Sequence, residues 1–295
     1  MHRKNLNLLY NMKKALLVGI NYFGTSAELS GCINDIKNIH QYLKLSRSYK
    51  NFVILTDDNE KALPTKANIL KELANLVKDV VAGDELWFHY SGHGTLVRDT
   101  NRDEESGYDS CICPVDYNKS GFITDDQIRS IINIPEGVKL YVVLDACHSG
   151  TGCDLRYKIE DYSFQKKGKY SKKYNSDDWV LKQTMTQLKN YPKTNGDIYL
   201  ISGCKDEQTS ADTVEEGEAA GALTYCFLKT IRNNYGNCKW KIFLKDLNGL
   251  LKIKGYSQRP VLTSGKQLDT NLNMFDTGKK SIDNLLGKVD ISKLI

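Results

Sequence analysis

The chain has 295 residues, enough for one large domain or two small ones with a substantial core. With 40% hydrophobic and 26% charged residues it has the composition of an ordinary soluble protein, and no apolar run approaches the ~20 residues of a bilayer crossing, which excludes a membrane protein. The net charge of +5 is concentrated in residues 155–196, where ten Lys/Arg face four Asp/Glu; the remainder is near neutral, so a basic nucleic-acid-binding face is not indicated.

The first twenty residues, MHRKNLNLLYNMKKALLVGI, have an apolar stretch broken by Asn11, Lys13 and Lys14 and no small-residue cleavage site, so no secretory signal is expected. Eight cysteines in such a chain read as free thiols of a reducing, cytoplasmic compartment. Cys111 and Cys113 lack the second close pair that a structural zinc site requires.

Short apolar runs predict buried strands at residues 15–20, 52–55, 85–90, 140–144, 198–202 and, more weakly, 260–263. Between them, helical spacing predicts helices at 33–45, 65–81 and 125–132, then at 223–232 and 242–251. Strands alternating with helices point to an α/β fold, a mostly parallel sheet covered on both faces. The segment 155–196, rich in Lys, Tyr, Ser and Asn, reads as a flexible basic insertion followed by a short helix at WVLKQTMTQL.

In such a fold functional residues gather at the carboxyl ends of the strands. Two predicted strands run straight into Gly-flanked loops there: WFHY into Ser91, Gly92, His93 and Gly94, and LYVVLD into Ala146, Cys147, His148, Ser149 and Gly150. Taken singly, Cys147 reads as a buried structural cysteine and His93 as a strand-end histidine bonded to backbone. Together they read as a catalytic pair: a thiol needs a base to become a thiolate and a proton donor for the departing amine, and imidazole serves both near neutral pH. The amides of Gly94 and Cys147 are the candidates for an oxyanion hole. His89, inside a strand, and His148, whose side chain should diverge from its neighbour's, read as structural.

The segments YSGHG, DACHSG, GINYFGTSAELSGCINDI and SGCKDEQTSADTVEEGEAAGALTYCF resemble a metacaspase of type I, over about residues 14–275. The resemblance implies a caspase-like α/β/α sandwich, a Cys147/His93 dyad and cleavage after Arg or Lys. The separation of 54 positions between His93 and Cys147 is close to the ~50 of caspases. Caspases carry Gln where this chain has Asp145. An acidic pocket there would favour a cationic side chain and repel the aspartate that caspases select. The family pattern makes Asp35 the second carboxylate, and Ser91 adds a neutral hydrogen bond. Otherwise Asp35 would cap or orient a helix, Asp145 would be a turn residue and Ser91 would satisfy backbone.

Eight acids and few bases lie between Asp99 and Asp126, a crowding that calls for solvent or a cation. DTNRDEESGYDS begins like an EF-hand loop but has Glu104 at its sixth position and Ser110 at its twelfth, which rules that loop out. The resemblance implies a calcium site of Asp109, Asp125, Asp126 and Asp154, and calcium accepts such hard carboxylate oxygens in flexible geometry. The alternative is that Asp125 and Asp126 cap a helix and Asp154 is a loop residue.

The expected organisation is a short extension (1–13), a large-subunit-like portion (14–154), the basic insertion (155–196), a small-subunit-like portion of the same domain (197–276) and a tail (277–295). Lys166, Lys167, Lys169, Lys172 and Lys173 in the insertion are candidate self-cleavage positions, because exposed loops are preferred proteolytic sites. A monomer acting on peptides or proteins is expected. The competing readings are a non-catalytic scaffold of the same fold, a same-fold peptidase selecting Asn, and a nucleic-acid binder.

Overall fold

The computed structural model describes residues 11–101, 104, 106–146, 152–166, 179–188, 190–203, 212–215 and 218–275. In chain order the elements are β1 (Lys13–Gly19), α1 (Cys32–Ser46), β2 (Asn51–Thr56), α2 (Lys66–Val77) and β3 (Glu85–Ser91), then β4 (Gly94–Arg98) and β5 (Tyr108–Ile112). They continue with α3 (Tyr117–Ser120), β6 (Ile123–Thr124), α4 (Asp125–Ile131), β7 (Lys139–Asp145), β8 (Tyr157–Lys166) and β9 (Trp179–Gln187). The last are β10 (Asp197–Ser202), β11 (Asp212–Glu215), β12 (Glu218–Gly221), α5 (Ala222–Asn233), α6 (Trp240–Ile253) and β13 (Val261–Ser264).

Eight described strands form the main sheet in the order β2-β1-β3-β7-β10-β13-β8-β9. The first five are mutually parallel; β13, β8 and β9 add antiparallel. The apolar runs are explained by coverage on both faces: Leu16, Leu17 and Val18 of β1 are fully buried. Alternate residues of β1, β3 and β7 feed two cores. Ala15, Leu17, Trp87, Tyr141 and Val143 pack with α1, α5 and α6. Leu16, Val18, Phe88, Val142 and Leu144 pack with α2 and α4 on the other side. This is the three-layer α/β/α sandwich that the strand-helix alternation predicts.

Three local features differ from the sequence reading, the first being that residues 157–166, expected in a flexible insertion, form strand β8 and pair with β13. WVLKQTMTQ is strand β9, paired antiparallel with β8, and not a helix. Thr184 and Thr186 are β-branched and suit a sheet edge, a tertiary setting that helical spacing does not reveal. The helix expected over 65–81 stops at Val77, because Lys78 is extended (ψ 138) and Asp79 enters the left-handed region (φ 56), although apolar residues continue to Val81. Two small sheets, β4-β5-β6 and β11-β12, form outside the main one.

Candidate active site

Register brings the two singled-out loops together. In the β3-β7 pair Ser91 lies opposite Asp145, and beyond it the Gly92 amide donates to the Asp145 carbonyl at 3.2 Å. His93 and Cys147 each follow that last pair by two residues. Cys147, its amide and His148 lie outside the described residues, as do Lys167, Lys169, Lys172 and Lys173; Lys166 closes strand β8.

His93 is half-buried, and its Nε2 lies 2.7 Å from the carbonyl oxygen of Ala27. A carbonyl only accepts, so Nε2 carries the proton and Nδ1 of the neutral ring is left as the base. Ala27 belongs to the loop between β1 and α1, which is anchored by Asn21: its Oδ1 accepts the Cys32 and Ile33 amides at 3.0 and 3.3 Å, satisfying the first donors of α1 from outside the helix. Gly94, the second oxyanion-hole candidate, opens β4 opposite Ile112.

Asp35, Ser91 and Asp145 converge. Ser91 Oγ donates to Asp35 Oδ2 at 2.5 Å, and both Asp35 oxygens accept the Gly221 amide at 3.0 Å. Asp145 Oδ2 accepts the Thr224 amide at 2.8 Å. Asp35 is 1% and Asp145 3% exposed. A Cβ at Gly221 would strike the Oδ2 atoms of both aspartates, so the backbone can enter between them only as glycine. The donors are the N-cap amide and a first-turn amide of α5, where the helix dipole favours negative charge. Asp35 and Asp145 thus do cap a helix, though a distant one. The sequence reading missed Gly221 and Thr224, since a backbone amide carries no residue-type signal. His89 lies in the same region, fully buried, with Nε2 3.1 Å from Thr224 Oγ1; burial lowers its pKa to about 3, so it stays neutral.

A second acidic cluster lies at the edge of the β4-β5-β6 sheet. Carboxylate oxygens of Glu104, Asp125 and Asp154 fall within 4.8 Å of one another. Asp109, Asp125 and Asp154 are buried, and Asp154 adopts a left-handed φ of 46°. Burial pushes the Asp125 carboxyl up to about 8, and the charges of Glu104 and Asp109 add to this, while the Ser110 and Asp126 amides oppose it. Like charges desolvated together fit a site for a hard cation. Asp126 is half-buried and accepts from Asn101 Nδ2 at 2.7 Å. Glu104 is one of the eight acids between Asp99 and Asp126, and nothing in the sequence selects it. Thr124 and Gln127 form a capping box that fixes the start of α4, and with it Asp125.

A covered, mostly parallel sheet with a Gly-flanked histidine at one strand end and a Cys-bearing loop after its neighbour defines a caspase-like cysteine peptidase. The comparisons agree. The metacaspase peptidase C14 domain matches residues 13–156. Metacaspase-1 of Meyerozyma guilliermondii is 39% identical over 88% of this chain and 71% of its own length. Metacaspase-1 of Scheffersomyces stipitis is 39% identical over 88% and 72%. A Geobacter sulfurreducens protein of known crystal structure shares the fold at a TM-score of 0.59 and 22% identity, covering 88% of this chain and 95% of that one. The chain belongs to the metacaspase family and is a cysteine-type peptidase. Among the described residues no helix is long and apolar enough to cross a membrane.

Proposed function

We propose that this peptidase is a calcium-dependent endopeptidase that cleaves after Arg or Lys through His93 and Cys147. The observation that carries the specificity is the meeting of Asp35 and Asp145 around Gly221. Each carboxylate accepts a main-chain amide of α5, and Asp35 also accepts the Ser91 hydroxyl, so acidic oxygens are gathered where water is scarce. A guanidinium or ammonium gains there and an acidic side chain is repelled. A peptidase selecting Asn would have no use for this pair.

In catalysis His93 would take the Cys147 proton on Nδ1 while the Ala27 carbonyl holds Nε2–H, and would return the proton to the leaving amine. The amides of Gly94 and Cys147 remain the candidates for stabilising the oxyanion. The ordered His93 and Ala27 contact favours an enzyme over a scaffold.

Calcium would be held by Asp109, Asp125 and Asp154, with Glu104 joining them and Asp126 at the rim. Bound there, the cation would neutralise carboxylates that otherwise repel one another. Self-cleavage would fall at Lys166, Lys167, Lys169, Lys172 or Lys173, in and after the end of β8. The β8-β9 hairpin lies outside β13, which supports a monomer. The described cysteines Cys32, Cys111, Cys113, Cys153, Cys226 and Cys238 are all free, which supports a cytoplasmic location.

Fluorogenic peptides ending in Arg, Lys, Asn or Asp, assayed with calcium and with a chelator, test the reading, with Cys147→Ala as control. Calcium-dependent turnover of the Arg and Lys peptides alone is expected, lost in Cys147→Ala. Equal turnover under chelation would remove the calcium part, and turnover of the Asn peptide would remove the pocket part.

A further inference from the structure

We infer that Tyr22 and Tyr90 are positioning residues for His93, their hydroxyls wired into the backbone of the loop that carries the imidazole. The inference rests on the reading of His93 as the catalytic base.

Strands β4 and β5 pair antiparallel, with Gly94 opposite Ile112, so His93 and Cys113 come next. The Cys113 amide donates directly to the His93 carbonyl at 3.0 Å, as such a pair requires. The return bond, from the His93 amide to the Cys113 carbonyl, is replaced by a relay. The His93 amide donates to the Tyr22 hydroxyl at 3.0 Å, and that hydroxyl donates to the Cys113 carbonyl at 2.6 Å. Tyr90 adds to the direct bond: its hydroxyl accepts from the Cys113 amide at 3.2 Å, and its one proton faces the His93 carbonyl at 2.7 Å and the Cys113 carbonyl at 3.0 Å. The two hydroxyls stand 2.9 Å apart. The His93 amide is therefore held by the Tyr22 phenol, its carbonyl is shared between the Cys113 amide and the Tyr90 phenol, and one of the two cross-strand bonds is opened where the histidine leaves the pair.

The side chain is held as well. The Tyr22 and His93 rings lie 4.7 Å apart at 42°. Tyr22 comes from the loop that also supplies the Ala27 carbonyl to Nε2. It does so at φ 53, a left-handed conformation that a bulky residue adopts only when its surroundings impose it, and such strain gathers at functional sites. Burial raises the phenol pKa of both tyrosines well above its ordinary value, so each hydroxyl stays protonated and able to donate and accept at once. Gly92 completes the arrangement: a Cβ there would come within 2.7 Å of the Tyr90 hydroxyl.

The physical consequence is directional. Without the Tyr22 hydroxyl, the His93 amide loses its partner, and finding another in the Cys113 carbonyl or the Tyr90 hydroxyl shifts the loop and the imidazole with it. A misplaced imidazole costs turnover rather than substrate binding.

The test compares Tyr22→Phe, Tyr90→Phe, the double variant and His93→Ala with wild type, on an Arg-terminated fluorogenic peptide in calcium. Turnover is expressed per folded molecule from near-ultraviolet circular dichroism. Each phenylalanine keeps the ring and its packing. The expected result is a fall in kcat of roughly tenfold or more for each single variant with KM unchanged, the double variant being little worse than either single, and His93→Ala inactive. Wild-type kcat per folded molecule in both single variants, or a raised KM with unchanged kcat, would overturn the inference while His93→Ala stays inactive. An active His93→Ala would instead show that the reading of His93 itself is wrong. Should Tyr22→Phe not fold, Tyr90→Phe carries the same prediction through the other half of the relay.

Discussion

At the amino end of β3 the buried carboxylate of Glu85 is surrounded by donors from charged and phenolic side chains. Arg47 Nη2 reaches both its oxygens at 2.9 and 3.1 Å, Lys13 Nζ lies at 3.2 Å and the Tyr49 hydroxyl at 3.0 Å. The Arg47 guanidinium also lies 3.9 Å from the Phe275 ring centre, closing the base of the sheet. At the carboxyl end of the same strand, Ser91 reaches Asp35, which faces Asp145, and here the donors are a hydroxyl and the amides of α5. One end buries opposite charges in a closed set; the other buries like charges and supports them with dipoles. The proposed preference for Arg or Lys rests on the second arrangement.

Breaking the closed end should give the larger effect. Glu85→Gln leaves Arg47 and Lys13 close together without their counter-charge, and because the Arg47 side chain is only 10% exposed, a loss of about 3–5 kcal/mol in urea-unfolding stability is expected. Turnover of an Arg peptide per folded molecule should not change. Asp145→Asn should do the opposite: the amide oxygen can still accept from Thr224, so the unfolding midpoint should hold. The value of kcat/KM on the Arg peptide should fall roughly a hundredfold, about 3 kcal/mol. Retained Arg preference in Asp145→Asn, or lost turnover in folded Glu85→Gln, would erase the distinction between the two ends.

The same contrast explains what could be read from sequence. Strands β1, β3 and β7 were legible because parallel strands buried on both faces are mostly apolar, as in Leu16 to Val18 and Tyr141 to Leu144, even though β3 also buries Glu85, His89 and Ser91. The β8-β9 hairpin was not: its place depends on pairing with β13, which lies about a hundred residues away and contributes four residues. At the site, the family pattern pointed to Asp35 and the contrast with the Gln of caspases to Asp145, with Ser91 as a neutral partner, but neither pointed to the amides of Gly221 and Thr224 that the carboxylates accept, nor to the Tyr22 relay, whose partners are main-chain atoms. Glu104 was hidden for a different reason, being one acid among neighbours until the fold brought it to Asp125 and Asp154.

His89 lies between the two ends of β3 and offers the finest probe of their difference. It is fully buried, bonded through Nε2 to Thr224, whose amide supports Asp145. Its folded pKa, lowered to about 3 by burial, lies below the ordinary 6.5, so between those values the unfolded chain binds the proton and the folded chain does not. Stability is therefore intact above pH 6.5 and declines as pH falls from there, by at most about 1.4 kcal/mol per pH unit, or ~2 kcal/mol by pH 5. His89→Gln retains an amide able to bond Thr224 Oγ1 and cannot titrate. Urea unfolding at pH 8, 6.5 and 5 should then show wild type losing more stability than His89→Gln below pH 6.5, with the two curves parallel above it. Equal losses in both would move the acid sensitivity away from β3 and into the carboxylates.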